Sequence, residues 1–127
     1  MISNKVLQRY ISSSKICKVV LDEIILKIQR SQILLLKELH EYGKERLQEE
    51  CDKFTNEKIH AIAFPTSISL NDCVGNYIYE KDNDRYNKIK EGDIVKIDLG
   101  VNIDGCIIIT PKSIFTISPS FILLYLS

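Results

Sequence analysis

Net charge is the first thing this sequence lacks: seventeen basic side chains are balanced by seventeen acidic ones across 127 residues. A neutral chain has no overall field to draw it to nucleic acid or an anionic membrane, so any such binding needs a local patch. The halves differ only mildly, with eleven basic against nine acidic side chains up to residue 60 and six against eight after it. Histidine is scarce too, and two of them cannot complete a zinc site at any familiar spacing. The four cysteines, Cys17, Cys51, Cys73 and Cys106, are far apart and form no CxxC. They read as reduced, buried thiols, which points to an intracellular compartment rather than a secreted protein. Met1 to Tyr10 has neither the apolar core nor the cleavage site of a signal peptide. No stretch reaches the roughly eighteen apolar residues of a membrane span, so no membrane partner is expected. What is plentiful is apolar surface: at 45% hydrophobic residues the chain can build one folded domain and is too apolar for a disordered one.

From Ser14 to Gln29, residues Ile16, Val19, Val20, Ile24 and Ile28 share a helical face, and Ser12, Ser13 and Ser14 offer capping oxygens. From Leu34 to about Phe54, Leu35, Leu39, Tyr42 and Leu47 recur among oppositely charged i,i+3 and i,i+4 pairs, which predicts a second, more solvated helix. Gly43 weakens it by about 1 kcal/mol relative to alanine. After His60 the pattern becomes β-like. Ala61 to Leu70 reads as a strand whose Pro65 cannot sit in a central ladder, and Asn71-Asp72 as a turn. Glu80 to Lys90 reads as a charged surface loop closed by Glu91-Gly92-Asp93. Ile94 to Leu99 opens a β-rich run, and Asp104-Gly105 predicts a hairpin with both central residues at positive φ. The fold class expected is α+β: two N-terminal helices followed by a mostly antiparallel sheet. Pro111 to Ser127 is a separate, apolar tail, densest from Phe121 to Leu126.

Taken residue by residue, the polar candidates are bland. Asp98 stands between Ile97 and Leu99 as a lone, exposed or turn-facing carboxylate, His40 and His60 as surface or helix-end histidines, and Cys73 as a packed thiol. Lys15, Lys18, Lys27 and Arg30 make the first helix mildly basic without aromatic interleaving or an RNA motif, which supports at most weak, salt-sensitive phosphate contact.

Three stretches in fixed order carry more: Ala63-Phe64-Pro65-Thr66-Ser67-Ile68-Ser69-Leu70-Asn71-Asp72-Cys73-Val74, then Lys90-Glu91-Gly92-Asp93-Ile94-Val95-Lys96-Ile97-Asp98-Leu99-Gly100-Val101, then Asp104-Gly105. Together they resemble the first half of the pita-bread domain of the methionine aminopeptidase superfamily, nearest in flavour to its proliferation-associated (ErbB-receptor-binding) branch. The likeness runs over about residues 5 to 110. It divides the chain into 1–110, an N-terminal half-domain, and 111–127, a divergent tail.

The resemblance implies a domain of two pseudo-symmetric halves, of which this chain supplies the first. Active members hold two divalent metals with two Asp, one His and two Glu, because paired cations need several anionic donors and activate a bridging water. By motif position the first aspartate falls on Asp98, the second on Ile109, and the substrate-contacting histidine on Asn76. One matched ligand cannot hold two metals, so neither metal nor other cofactor is expected and no catalytic residue is assigned. The resemblance implies a non-catalytic protein associated with ribosomal RNA or the large ribosomal subunit, with Lys15 and Lys18 as RNA-contact candidates. Two alternatives stand beside it: a metal-dependent methionine aminopeptidase completed by another chain, and a truncated or decayed gene product. Half a domain would also leave a sheet edge open to self-association.

Overall fold

The fold is described from a computed structural model covering residues 1–30, 34–53, 60–75, 77, 87–115 and 124–126. Helix α1 runs Asn4–Arg30, ten residues further toward the N-terminus than the serine cluster suggests. Its cap is Ser3, whose Oγ accepts the Val6 N–H at 3.3 Å. The serines sit mid-helix instead. Ser13 is fully buried, and its hydroxyl donates to the Cys106 carbonyl at 3.1 Å, so a small polar side chain lets the helix approach the sheet. Ile16, Val20, Ile24 and Ile28 are buried, while Val19 is exposed. The buried stripe advances by four residues at a time, and Val19 falls off its outer side.

Strand β1 (Leu34–Leu35) leads directly into α2 (Leu36–Asp52). The buried side of α2 is Leu36, Leu39, Gly43, Leu47 and Cys51, whereas Leu35 is the exposed residue before the helix. Gly43 is required rather than merely tolerated. A Cβ there would lie 2.7 Å from Cγ2 of Thr66, so the missing side chain is what lets α2 rest on the sheet.

Five further strands follow: β2 (His60–Leu70), β3 (Lys88–Ile89), β4 (Ile94–Ile103), β5 (Cys106–Phe115) and β6 (Leu124–Leu126). An antiparallel sheet is ordered β2-β4-β5-β6, and β1 pairs with β3 separately. The two helices followed by an antiparallel sheet are the architecture the sequence predicts. Pro65 lies inside β2, which is an end strand of the sheet, where the register slips between Phe64 and Ser67, so its missing N–H interrupts no continuous ladder. The Asp104-Gly105 hairpin has φ of 47° and 84°, and the Asn102 side chain accepts the Gly105 N–H at 2.8 Å. The end of the expected surface loop is not loop: Lys88–Ile89 forms β3, with Ile89 buried as an apolar anchor. Residues 80–86 of that loop lie outside the described residues.

Strand β5 continues through Pro111 to Phe115, across the limit at residue 110, and β6 from the tail pairs with Ser113–Phe115. Counted from the two-residue hairpin, Pro111 faces Asp98 at a pair that exchanges no hydrogen bonds, so a proline is accommodated. Phe121 and the rest of 116–123 lie outside the described residues. Both helices cover one face of the sheet, α1 over β4 and β5 and α2 over β2. The core between them holds Ile24, Ile28, Leu39, Leu47, Ile68, Leu70, Ile97 and Leu99.

Candidate functional site

Strand alternation decides which residues can do chemistry. Val95, Ile97, Leu99, Val101 and Ile103 of β4 are buried under the helices, so Lys96, Asp98 and Asn102 belong to the other face. Ser67 on β2 and Pro111 on β5 flank Asp98 in register. Asp98 is half-buried, not freely exposed, and that burial pushes its carboxyl above the usual carboxylate range. Beside it, the Ser67 hydroxyl is buried with no hydrogen-bond partner among the described residues.

Ile109 pairs with Gly100, two residues along from Asp98, so it occupies the same face on the diagonal. It is 52% exposed. A Cβ on Gly100 would come within 3.0 Å of Ile109 Cγ1 and of Phe64 Cβ, so the glycine lets both side chains close over β4. Beside Asp98 this face therefore carries an aliphatic chain on the diagonal. Asn76, the position expected to contact substrate, lies outside the described residues, as does the His60 side chain.

The strand ends are braced by Asn71, which adopts φ 51°. Its side chain donates to Asp93 and accepts the Ile94 N–H, each at 3.0 Å, while its own N–H reaches the Ile94 carbonyl at 2.9 Å. The chain then turns back so that the Tyr77 N–H donates to Ser69 Oγ at 3.2 Å and the Tyr77 ring meets His40 edge-on at 6.3 Å. His40 is therefore no surface histidine. It is half-buried, its Nε2 has no hydrogen-bond partner among the described residues, and burial holds its pKa below the usual 6.5. Nothing in its sequence neighbours signals this, because the contact comes from β2 and Tyr77.

Cys17, Cys51 and Cys106 are buried free thiols, and Cys73 is half-buried. Burial pushes the Cys17 thiol up and that of Cys51 to about 11, which removes thiolate chemistry from both. Lys15 and Lys18 lie on the outside of α1, well away from Asp98 on the other side of the sheet, and Lys18 pairs with Asp22 at 3.0 Å. Among the described residues, the largest polar cluster ties the two helices together. Arg46 contacts Glu23 at 2.7 Å, Glu50 at 2.7 Å and Glu49, and Lys27 lies 4.0 Å over the Tyr42 ring. It joins elements and encloses no reacting group.

A two-metal centre does not fit this donor set. Among the described residues no three of His, Cys, Asp and Glu converge, and the diagonal neighbour of Asp98 on β5 is Ile109, which has no donor atom. No protein-family model matches the chain. Its sequence is 42% identical over 83 residues to proliferation-associated protein A of Dictyostelium discoideum, covering 63% of this chain and 21% of that protein. It is 37% identical over 99 residues to a methionine aminopeptidase of Pyrococcus horikoshii, covering 78% of this chain and 30% of that one. The chain is a pita-bread half of the methionine aminopeptidase type. The structure of a thermophilic Arx1 superposes with a TM-score of 0.77 at 23% identity, covering 94% of this chain and 32% of that chain. The pita-bread half thus spans a fifth to a third of the length of these relatives. No helix among the described residues is long and apolar enough to cross a membrane.

Proposed function

We propose that this pita-bread half acts by binding and not by hydrolysis, as a ribosome- or RNA-associated protein of the proliferation-associated branch, working in the cytoplasm and/or nucleus without a metal or other cofactor. The observation that carries the reading is Ile109, an aliphatic side chain on the same sheet face as Asp98 and diagonal to it. A lone half-buried carboxylate beside an aliphatic neighbour cannot neutralise paired cations or hold a water between them. The likeness to proliferation-associated protein A and to Arx1 supports the same branch. Lys15 and Lys18, both exposed on α1, are the candidates for contact with an anionic partner.

The test is sedimentation of the purified chain with isolated ribosomal subunits through a sucrose cushion. Co-sedimentation with the large subunit, weakening as salt rises, is the expected result, because phosphate contacts release counterions. A chain that stays in the supernatant at low salt overturns the ribosomal reading. Methionine release from Met-Ala in the presence of cobalt or manganese, abolished by Asp98→Ala, would overturn the non-catalytic one.

A further inference from the structure

The two helices differ in charge although the chain is neutral. Helix α1 carries six basic side chains against two acidic ones, and α2 three basic against six acidic. Helix α1 also exposes Leu7, Ile11, Val19 and Leu26, each between 36% and 47%. At 100° per residue these four fall within an arc of about 120°, which Lys15, Lys18 and Asp22 share and whose edge meets the buried Ile25. The stripe from Leu7 to Leu26 is about 28 Å long. A typical surface helix puts its aliphatics toward the core and its polar residues outward, so aliphatics along the outer face of a well-packed helix need another explanation.

The composition of that face selects its occupant. Nucleic acid offers phosphates to the lysines and leaves four aliphatic side chains in water. A second copy docked by the same face would set two basic helices together, and the antiparallel register that brings Leu7 to Leu26 also brings Lys15 to Lys18 of the other copy. The α2 helix of a second copy has suitable charge, but its exposed face is polar from Lys37 to Asp52 and supplies no aliphatic partner. We propose that the outward face of α1 between Leu7 and Leu26 docks an acidic amphipathic helix of a partner protein. The partner's leucine- or isoleucine-type side chains lie on Leu7, Ile11, Val19 and Leu26, and its carboxylates on Lys15 and Lys18. The Lys18–Asp22 pair is largely exposed and worth little, so it yields its cation at small cost. This inference rests on the reading of the chain as a binding protein; it gives Lys15 and Lys18 a carboxylate partner where the ribosomal reading gives them phosphate, and the RNA probe separates the two.

Fluorescence anisotropy with the full chain tests it, using three labelled probes: an acidic amphipathic peptide of about 18 residues, five helical turns; the same composition scrambled so that no apolar stripe forms; and single-stranded RNA. The amphipathic peptide is expected to bind and the scrambled one to bind at least about tenfold more weakly, since the apolar anchors supply most of the affinity. Leu7→Ser with Ile11→Ser, and separately Lys15→Glu with Lys18→Glu, each weaken the peptide by a similar factor. None of these positions is in the core, so circular dichroism and thermal unfolding stay unchanged. Equal binding of the scrambled peptide, or no binding of either, overturns the proposal. So does RNA binding that is lost with the lysines yet indifferent to Leu7 and Ile11, which would support nucleic acid on this face instead.

Discussion

The two faces of the sheet are built for different purposes. Toward the helices, β4 presents Val95, Ile97, Leu99, Val101 and Ile103, all buried in the core. Away from them the same strand presents Lys96, Asp98, Gly100 and Asn102, and β5 adds Ile107 and Ile109 at about half exposure. Because side chains alternate, one strand carries both sets, and either can change without disturbing the other. The helix-side set is complete as a core. The opposite set carries one carboxylate, Asp98 of β4, with the aliphatic Ile109 of β5 diagonal to it, so packing and polar side chains are divided between the two faces.

Truncation on the helix side sets the upper end of the scale. Leu99→Ala is expected to cost about 2–5 kcal/mol, the range for emptying a packed aliphatic site, read as a shift of the urea midpoint. A loss below about 0.5 kcal/mol would mean that this face is not the core. Next is Gly43→Ala, which drives a methyl into Thr66 and should cost about 1–3 kcal/mol by overpacking. Thr66→Ser removes the Cγ2 it strikes, so the double variant should recover part of the loss. Independent, additive effects would refute the close approach of α2 to β2.

The response to pH separates the faces by sign. His40 on the helix side has a lowered folded pKa, so the unfolded chain binds more protons, and stability is full above the usual 6.5 and falls as pH drops below it. Glu23, held down chiefly by its hydrogen bond from Arg46, and Glu50, held down chiefly by Lys53, act the same way at lower pH, through and below the usual carboxylate range. Asp98 on the open face has a raised folded pKa and acts oppositely, destabilising the fold at neutral pH until it is protonated. Thermal unfolding between pH 8 and pH 5 should therefore flatten in His40→Phe. At pH 7, Asp98→Asn should unfold at the same or a higher temperature than the parent. A clear drop for Asp98→Asn would show that its charge is held by a partner.

The smallest expected effect is Ile109→Asp. Stability should move by no more than about 0.5 kcal/mol, as for an exposed substitution. Placing a second carboxylate there should produce neither a cobalt-dependent rise in melting temperature nor release of methionine from Met-Ala. Either result would show that the open face needs only one residue to regain a metal site.

Local pattern accounts for most of what could be read in advance. Ile16, Val20, Ile24 and Ile28 recur at helical spacing, β4 alternates, and Asp104-Gly105 has the backbone freedom a two-residue hairpin demands, each a property of neighbours in sequence. The motif around Asp98 was enough to point to the family, and the residue eleven along is isoleucine whatever the fold. Other features were decided only when distant segments met. Ser13 lies buried in mid-helix because its hydroxyl reaches the Cys106 carbonyl, Gly43 is explained by Thr66, and His40 is buried by β2 and Tyr77. That Ile109 sits diagonal to Asp98, and that Leu7 and Ile11 remain in solvent, follows from strand register and helix orientation, which are set by long-range packing and leave no trace in local spacing.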